Sequence, residues 1–329
     1  MDDRSEITRG FVLGKFMPPH RGHRLLCRFA EQFCENLTIL VCSLEDDPIP
    51  GDVRYGWMRE MFPASDVIHL AEDMPQEPKD HPDFWKIWRE TIKRIEPRDI
   101  DYVFASEPYG ERLAKELDAR FIPFDLGREM MPISGTEIRE HPMKHWEMLP
   151  ECTHGYFAKR VCVFGPESTG KSTLTRKLAA EFRTVYAWEH ARALLDPKGG
   201  SCDHSDIPLI ARAQLSLEAA LLGNVNRVLF CDTNLLLTVI WSEVLFGSCP
   251  DWIRTAAEHQ HYDLTLLLDV DVPWVDDSQR YFPDQIAREA FFERCKKALE
   301  AKGDPFVILS GDYDERFHTA CDLVRTLIS

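Results

Sequence analysis

Short apolar runs rich in branched side chains recur along this chain, and each is followed by a stretch whose apolar residues return at helical spacing. The first kind reads as a buried strand, the second as an amphipathic helix. In the first half the runs are Gly10–Gly14, Leu37–Cys42, Asp66–Leu70, Tyr102–Ala105 and Phe121–Phe124. In the second they are Arg160–Phe164, Thr184–Trp188, Arg227–Asn234, Asp263–Val270 and Phe306–Leu309, closed by a helix over Arg316–Ile328. Strands alternating with helices predict parallel, doubly wound α/β sheets, whose ligands collect at the C-terminal strand ends. A chain of 329 residues has room for two such domains, since domains commonly hold roughly 100–150 residues. The expected division is 1–150 and 156–329.

Between the strand at Arg160–Phe164 and the helix that follows lies Gly165-Pro166-Glu167-Ser168-Thr169-Gly170-Lys171-Ser172-Thr173. It matches the phosphate-cradling pattern G-x-x-x-x-G-K-[ST] in the strand–turn–helix setting that the pattern needs. Backbone N–H groups and the positive end of the helix would wrap a nucleotide's phosphates. Lys171 would reach the outer phosphates, and the Ser172 hydroxyl would ligate Mg²⁺. Two acids end later strands. Asp232, in Phe230-Cys231-Asp232-Thr233, stands where a metal-orienting carboxylate belongs, although an acid there can also be a helix N-cap shared with Thr233. Glu189 closes the strand before it and is a candidate base or hydroxyl binder, or else a partner of the following helix dipole. Beyond the next strand, Arg280 and Arg288 are candidates to neutralise a transferring phosphate from a lid.

The first half carries a different signature. Gly14-Lys15-Phe16-Met17-Pro18-Pro19 leads into His20-Arg21-Gly22-His23 and then a helical stretch. The two histidines sit at a helix mouth, three residues apart, with Gly22 allowing a ligand close to the backbone. A histidine pair is also a common fragment of a metal site. As a strand–loop–H-x-G-H–helix unit, however, the segment resembles the nucleotidyltransferase superfamily that includes class I tRNA synthetases and small adenylyltransferases. Further on, Ile133-Ser134-Gly135-Thr136-Glu137-Ile138-Arg139 reads as a capped helix start, with Glu137 as the capping-box partner of Ser134. It also resembles the I-S-x-T-x-x-R motif of nicotinamide-nucleotide adenylyltransferases, with Gly135 in place of the commoner serine. No lysine-rich K-M-S-K-S loop of the synthetase type is present.

Bulk properties narrow the field. Hydrophobic residues at 44% and charged residues at 29% fit a soluble globular protein. A formal net charge of −16 argues against binding DNA, RNA or anionic membrane nonspecifically. The 10 cysteines form no C-x-x-C pair and read as buried thiols in a reducing cytoplasm. No apolar run approaches the ~20 residues that span a bilayer, and no secretion signal opens the chain.

Taken in order, G-K-F-x-P-P-H-x-G-H, I-S-G-T-E-I-R and R-V-C-V-F-G-P-E-S-T-G-K-S-T-L resemble the NadR-type family, a nicotinamide-nucleotide adenylyltransferase fused to a ribosylnicotinamide kinase. The resemblance runs from Gly10 to the C-terminus and includes Glu189-His190-Ala191-Arg192 and Trp274–Arg280, with Ser278 where glycine is usual. It implies an N-terminal HxGH nucleotidyltransferase Rossmann-like domain and a C-terminal P-loop kinase domain. It also implies ATP contacts from Gly14, Lys15, Phe16, His20, Gly22, His23, Ser134, Thr136 and Arg139 in the first. In the second they would come from the loop Gly165–Thr173 and Arg280. Trp85, Trp88, Arg54, Trp274 and Asp277 become candidate substrate contacts, and the tryptophans and Arg54 have core and surface roles as alternatives. The implied co-substrate is ATP, the implied metal Mg²⁺, and the implied small molecules nicotinamide riboside, nicotinamide mononucleotide and NAD. A homo-oligomer is compatible with all of this. Some members of the family carry an N-terminal helix-turn-helix. With nine residues before the first strand, none is expected here. Two alternatives stay open: adenylyl transfer to another phosphate (pantetheine phosphate or a flavin), and a nucleotide sensor without turnover.

Overall fold

The structure is a computed structural model and describes residues 7–273 and 284–329. It divides into two compact units, Met1–Thr153 and His154–Ser329.

In the first unit, β1 (Arg9–Gly14), β2 (Asn36–Cys42), β3 (Asp66–Leu70), β4 (Tyr102–Ala105) and β5 (Arg120–Pro123) form one parallel sheet in the order β3-β2-β1-β4-β5. The central strands are apolar without a break because both of their faces are covered. Successive residues of a strand point to opposite faces. Phe11 therefore joins one core layer with Leu40, Trp88 and Val103, while Val12 joins the other with Ile39, Met58 and Phe104. The strand order reverses between β1 and β4, and a crevice opens beyond their C-terminal ends, as the topology requires.

In the second unit, β6 (Lys159–Phe164), β7 (Tyr186–Ala187), β8 (Val228–Asp232), β9 (Leu264–Leu268) and β10 (Phe306–Leu309) form another parallel sheet, in the order β10-β9-β6-β8-β7. Every residue of β8 and β9 is buried. The strand expected over 184–188 pairs only at Tyr186 and Ala187. Its start is tied by a side chain instead: the Thr184 hydroxyl donates to the Val228 carbonyl (2.7 Å) and accepts from the Asn226 N–H (2.9 Å). All ten cysteines are free thiols, and no helix among the described residues is long and apolar enough to cross a membrane.

Candidate functional sites

A cleft of about 560 Å³ opens in the first unit and is lined by Gly14, Lys15, Phe16, His20, Gly22 and His23, and by Ser134, Thr136 and Arg139. The two motifs, more than a hundred residues apart in the chain, meet through the loop after β1. Arg139 Nη1 donates to the Met17 carbonyl at 2.8 Å. A Cβ on Gly135 would lie 3.2 Å from the same oxygen, so glycine lets the helix start abut the loop where serine would crowd it. Ser134 caps that helix by accepting from the Glu137 N–H at 3.2 Å. The capping box expected with Glu137 is not completed; its carboxylate lies 3.2 Å from His145 Nε2.

His20 is the N-cap of the helix over Arg21–Phe33, its Nδ1 accepting the Gly22 N–H at 3.1 Å. An acceptor nitrogen carries no proton, so the ring's hydrogen belongs on Nε2. The His20 and His23 rings lie 3.8 Å apart, tilted by 33°. Burial, and then the nearby Arg128 guanidinium, depress the His20 pKa to about 4. Burial, then His20 and Arg128, push His23 well below its ordinary value. The pair is therefore neutral near pH 7, two N–H donors poised for an anion. No group of three or more His, Cys, Asp or Glu side chains that could hold a metal exists among the described residues, so the histidines belong to no such cluster.

Trp85 and Trp88 both line the cleft. Trp88 is buried, and its indole N–H donates to the Pro75 carbonyl at 2.9 Å. Trp85 meets Phe84 edge-on at 5.0 Å, and the Arg112 guanidinium sits 5.8 Å from its ring. Arg54, expected at the substrate, does not line the cleft. It is fully buried and donates to the carbonyls of Lys15 (2.5 Å) and Cys42 (3.1 Å) and to Asp47 (2.6 Å). It acts on the loop after β1 from behind: Arg54 holds the Lys15 carbonyl and Arg139 the Met17 carbonyl. Ser106–Gly110 lies just past the end of β4, where the topology collects ligands, and Glu107 and Tyr109 from it line the cleft, the Tyr109 hydroxyl donating to the Leu13 carbonyl at 3.0 Å; Arg128, which also lines it, is not signalled by the sequence. Glu107, Tyr109 and Arg128 belong to no recognisable motif.

In the second unit the loop after β6 has the backbone a phosphate cradle needs. Gly165 and Gly170 take φ of 137° and 89°, and Ser168 is left-handed at 60°. A Cβ on Gly165 would fall 2.9 Å from the Leu268 carbonyl, and one on Gly170 would fall 2.7 Å from the Tyr313 ring. Lys171 opens the helix over Lys171–Glu181, and its ammonium donates to the Pro166 carbonyl at 2.8 Å. Thr169 Oγ1 donates to the same oxygen at 2.9 Å. Arg316, buried behind the loop, donates to the carbonyls of Thr169 (3.1 Å), Gly311 (2.9 Å) and Asp269 (3.2 Å) and pairs with Asp271. Ser172 and Thr173 follow Lys171 in the first helical turn, and Thr173 lines a small depression with Gly170 and Tyr313.

Asp232 is 1% exposed, and among the described residues its Oδ1 has no hydrogen-bond partner. The N-cap role considered for it falls to Asn234, whose side chain accepts the Leu237 N–H at 3.1 Å. Burial, then the charge of Glu189, raise the Asp232 pKa to about 6, against the pull of Lys171 and Ser172. A buried carboxylate oxygen without a partner, beside a serine hydroxyl, suits a hydrated Mg²⁺ whose other ligands come from phosphate and water. Ser172 and Asp232 are the residues that would hold it. Glu189 pairs with Arg192 at 3.0 Å. Both line a pocket of about 100 Å³ with Glu167, Lys171 and Gln214, walled by Ile207, Leu237 and Trp241. Trp274, Asp277 and Arg280 lie outside the described residues. Arg288, expected in a lid, is buried and donates to the Val272 carbonyl at 3.2 Å and to Gln285 at 2.9 Å.

Two five-stranded parallel sheets, the second with a P-loop at the end of its central strand, define a two-unit α/β nucleotide-binding protein. Residues 160–316 match the family model described as an AAA domain. The chain is similar to NadR proteins over nearly its whole length. It is 29% identical over 350 aligned positions to the trifunctional NAD biosynthesis/regulator protein NadR of Escherichia coli (strain K12), covering 99% of this chain and 84% of that protein. The NadR of Salmonella typhimurium is 28% identical over the same shares. Among solved structures, NadR in complex with NAD and AMP-PNP superposes with a TM-score of 0.78 at 22% identity, over 98% of this chain and 96% of that one. NadR in complex with NR gives 0.80 at the same identity and coverage. These likenesses establish the fold.

Proposed function

We propose that this protein makes NAD in two steps, one in each unit, with domains corresponding to residues 1–150 and 156–329. The second unit phosphorylates the 5′-hydroxyl of nicotinamide riboside with MgATP. The first joins the resulting nicotinamide mononucleotide to AMP from a second ATP and releases pyrophosphate. The observation that carries this is the coexistence in one chain similar to NadR of two unlike phosphate grips. One is a neutral histidine pair with Arg139 at the first cleft, the other a glycine-rich loop with Lys171 and Asp232, whose buried Oδ1 has no partner among the described residues.

In the kinase step the riboside hydroxyl attacks the terminal phosphorus and ADP departs. Glu189, at the pocket that also holds Lys171, orients the hydroxyl and accepts its proton, while Lys171 leaves the Pro166 carbonyl to neutralise the moving phosphoryl group. Mg²⁺, held by Ser172 and Asp232, supplies charge neutralisation on the phosphates when bound. In the adenylyl step an oxygen of the mononucleotide phosphate attacks the α-phosphorus of ATP and the bond to pyrophosphate breaks. No proton need move, so the work is positioning and charge stabilisation. His20 Nε2 and His23 donate to the triphosphate, and Trp85 and Trp88 receive the nicotinamide ring at the aromatic end of the cleft. The ten free thiols support a reducing, cytoplasmic setting.

The test uses labelled ATP with nicotinamide riboside or with the mononucleotide. Lys171→Ala should abolish riboside phosphorylation and leave NAD formation from the mononucleotide intact, and His23→Ala should do the reverse. Loss of both activities in a folded single variant, or no turnover of either nicotinamide compound by the wild type, rejects the proposal.

A further inference from the structure

A strained turn at the rim of the first cleft has no part in the motifs discussed so far. Asp125 and Arg128 are non-glycine residues with φ of 50° and 52°, a conformation that is uncommon for such residues and that surrounding structure must hold in place. What holds it is visible. The Arg128 N–H donates to the Asp125 carbonyl at 2.8 Å. Both Asp125 carboxylate oxygens are used, accepting the N–H groups of Glu129 (2.9 Å), Met130 (3.1 Å) and Met131 (3.1 Å). One aspartate thus locks the turn that presents the Arg128 side chain to the cleft.

Arg128 lines the cleft with both histidines, and its charge is felt by each of them. Its only recorded partner among the described residues is Glu107, at 3.1 Å, and both side chains are about half exposed. Glu107 stands just beyond the C-terminal end of β4 and lines the same cleft. A cation placed against two neutral imidazoles depresses their pKa values and would be unhelpful in an empty protein. It is useful only if an anion is to occupy the space between them. An exposed ion pair contributes little stability, so exchanging a carboxylate for a polyphosphate costs little.

We propose that Arg128 is a phosphate-binding residue of the first cleft, parked on Glu107 until a nucleotide's polyphosphate displaces that carboxylate. The inference rests on the adenylyl-transfer proposal for this cleft and adds a residue with a built-in competitor. Glu107 then acts as a brake on nucleotide affinity, screening the cation when no substrate is bound and being repelled by the substrate's own charge. The strained turn matters because it keeps the guanidinium from relaxing away when Glu107 lets go.

The experiment measures KM for ATP and kcat for NAD formation from the mononucleotide in wild type, Arg128→Ala, Arg128→Lys, Glu107→Gln and the double variant Glu107→Gln/Arg128→Ala. Riboside phosphorylation by the same preparations reports folding. Arg128→Ala should raise KM for ATP at least tenfold or lower kcat by as much, and Arg128→Lys should recover part of it. Glu107→Gln should lower KM for ATP by two- to fivefold, an improvement that loss of a merely structural ion pair would not produce. In the Arg128→Ala background the Glu107 change should have no effect, because the two residues act as a unit. Arg128→Ala within twofold of wild type, or Glu107→Gln weakening ATP use, overturns the inference while leaving adenylyl transfer standing. A wild type that makes no NAD rejects the underlying proposal instead.

Discussion

Asp232 gives the sharpest prediction, because the proposed kinase step needs its charge while its burial makes that charge costly. Its pKa in the folded protein is raised from 3.8 to about 6 by burial and Glu189. Between those two values the folded state binds the proton more tightly than the unfolded chain does. Stability is therefore fully favoured below pH 3.8 and is lost as pH rises through 6. At ~1.4 kcal/mol per pH unit of displacement, holding the carboxylate ionised at pH 7 costs about 3 kcal/mol. Asp232→Asn keeps the shape and removes the charge, so it should stabilise the second unit at pH 7 by about 1–3 kcal/mol, the shortfall covering an imperfectly bonded amide. In a unit of this size that raises the unfolding midpoint by roughly 3–10 °C. The same variant should lose at least a hundredfold in riboside phosphorylation. The assays are thermal unfolding at pH 7 and at pH 5, where the gain should shrink, together with a kinase rate profile that falls below pH 6 in the wild type. An Asp232→Asn protein that is less stable at pH 7, or that keeps its Mg²⁺-dependent kinase rate, refutes the assignment of this carboxylate.

Two further outcomes follow from the loops. Gly22→Ala would put a Cβ 2.9 Å from His20 Cε1 and 3.0 Å from its Nδ1, expelling the ring from its cap. NAD formation from the mononucleotide should fall more than tenfold, while thermal unfolding shows only the loss of a cap, about 0.5–2 kcal/mol; unchanged adenylyl transfer would contradict the geometry. Arg316→Met would orphan the carbonyls of Thr169, Gly311 and Asp269, while Asp271, 37% exposed, keeps the Gly311 N–H and the solvent. A cost of about 1–3 kcal/mol is expected from the unsatisfied buried carbonyls, together with a raised KM for ATP in the kinase assay and normal adenylyl transfer. Equal damage to both activities would show that the arginine does more than brace the phosphate loop.

Local patterns carried much of this far. Continuous apolar strands, glycines where the backbone turns left-handed, and the H-x-G-H and G-x-x-x-x-G-K-S spacings depend on neighbours in the chain. They located the sheets and the loops that follow β1 and β6. Arg54 and Arg128 show the other side. Each is an arginine beside a loop or helix, indistinguishable in sequence from a surface residue. One is fully buried against the Lys15 carbonyl, and the other faces two histidines.

Residue order alone determined two α/β units, each with a loop running from its central strand into a helix mouth, because strand pattern and loop spacing are short-range properties. Folding decided which charges meet: that Arg139 holds Met17, that Asn234 rather than Asp232 caps its helix, and that one Asp232 oxygen, Oδ1, is left without a hydrogen-bond partner among the described residues. Those outcomes depend on desolvation and on contacts between distant segments, and neither is written at any single position of the chain.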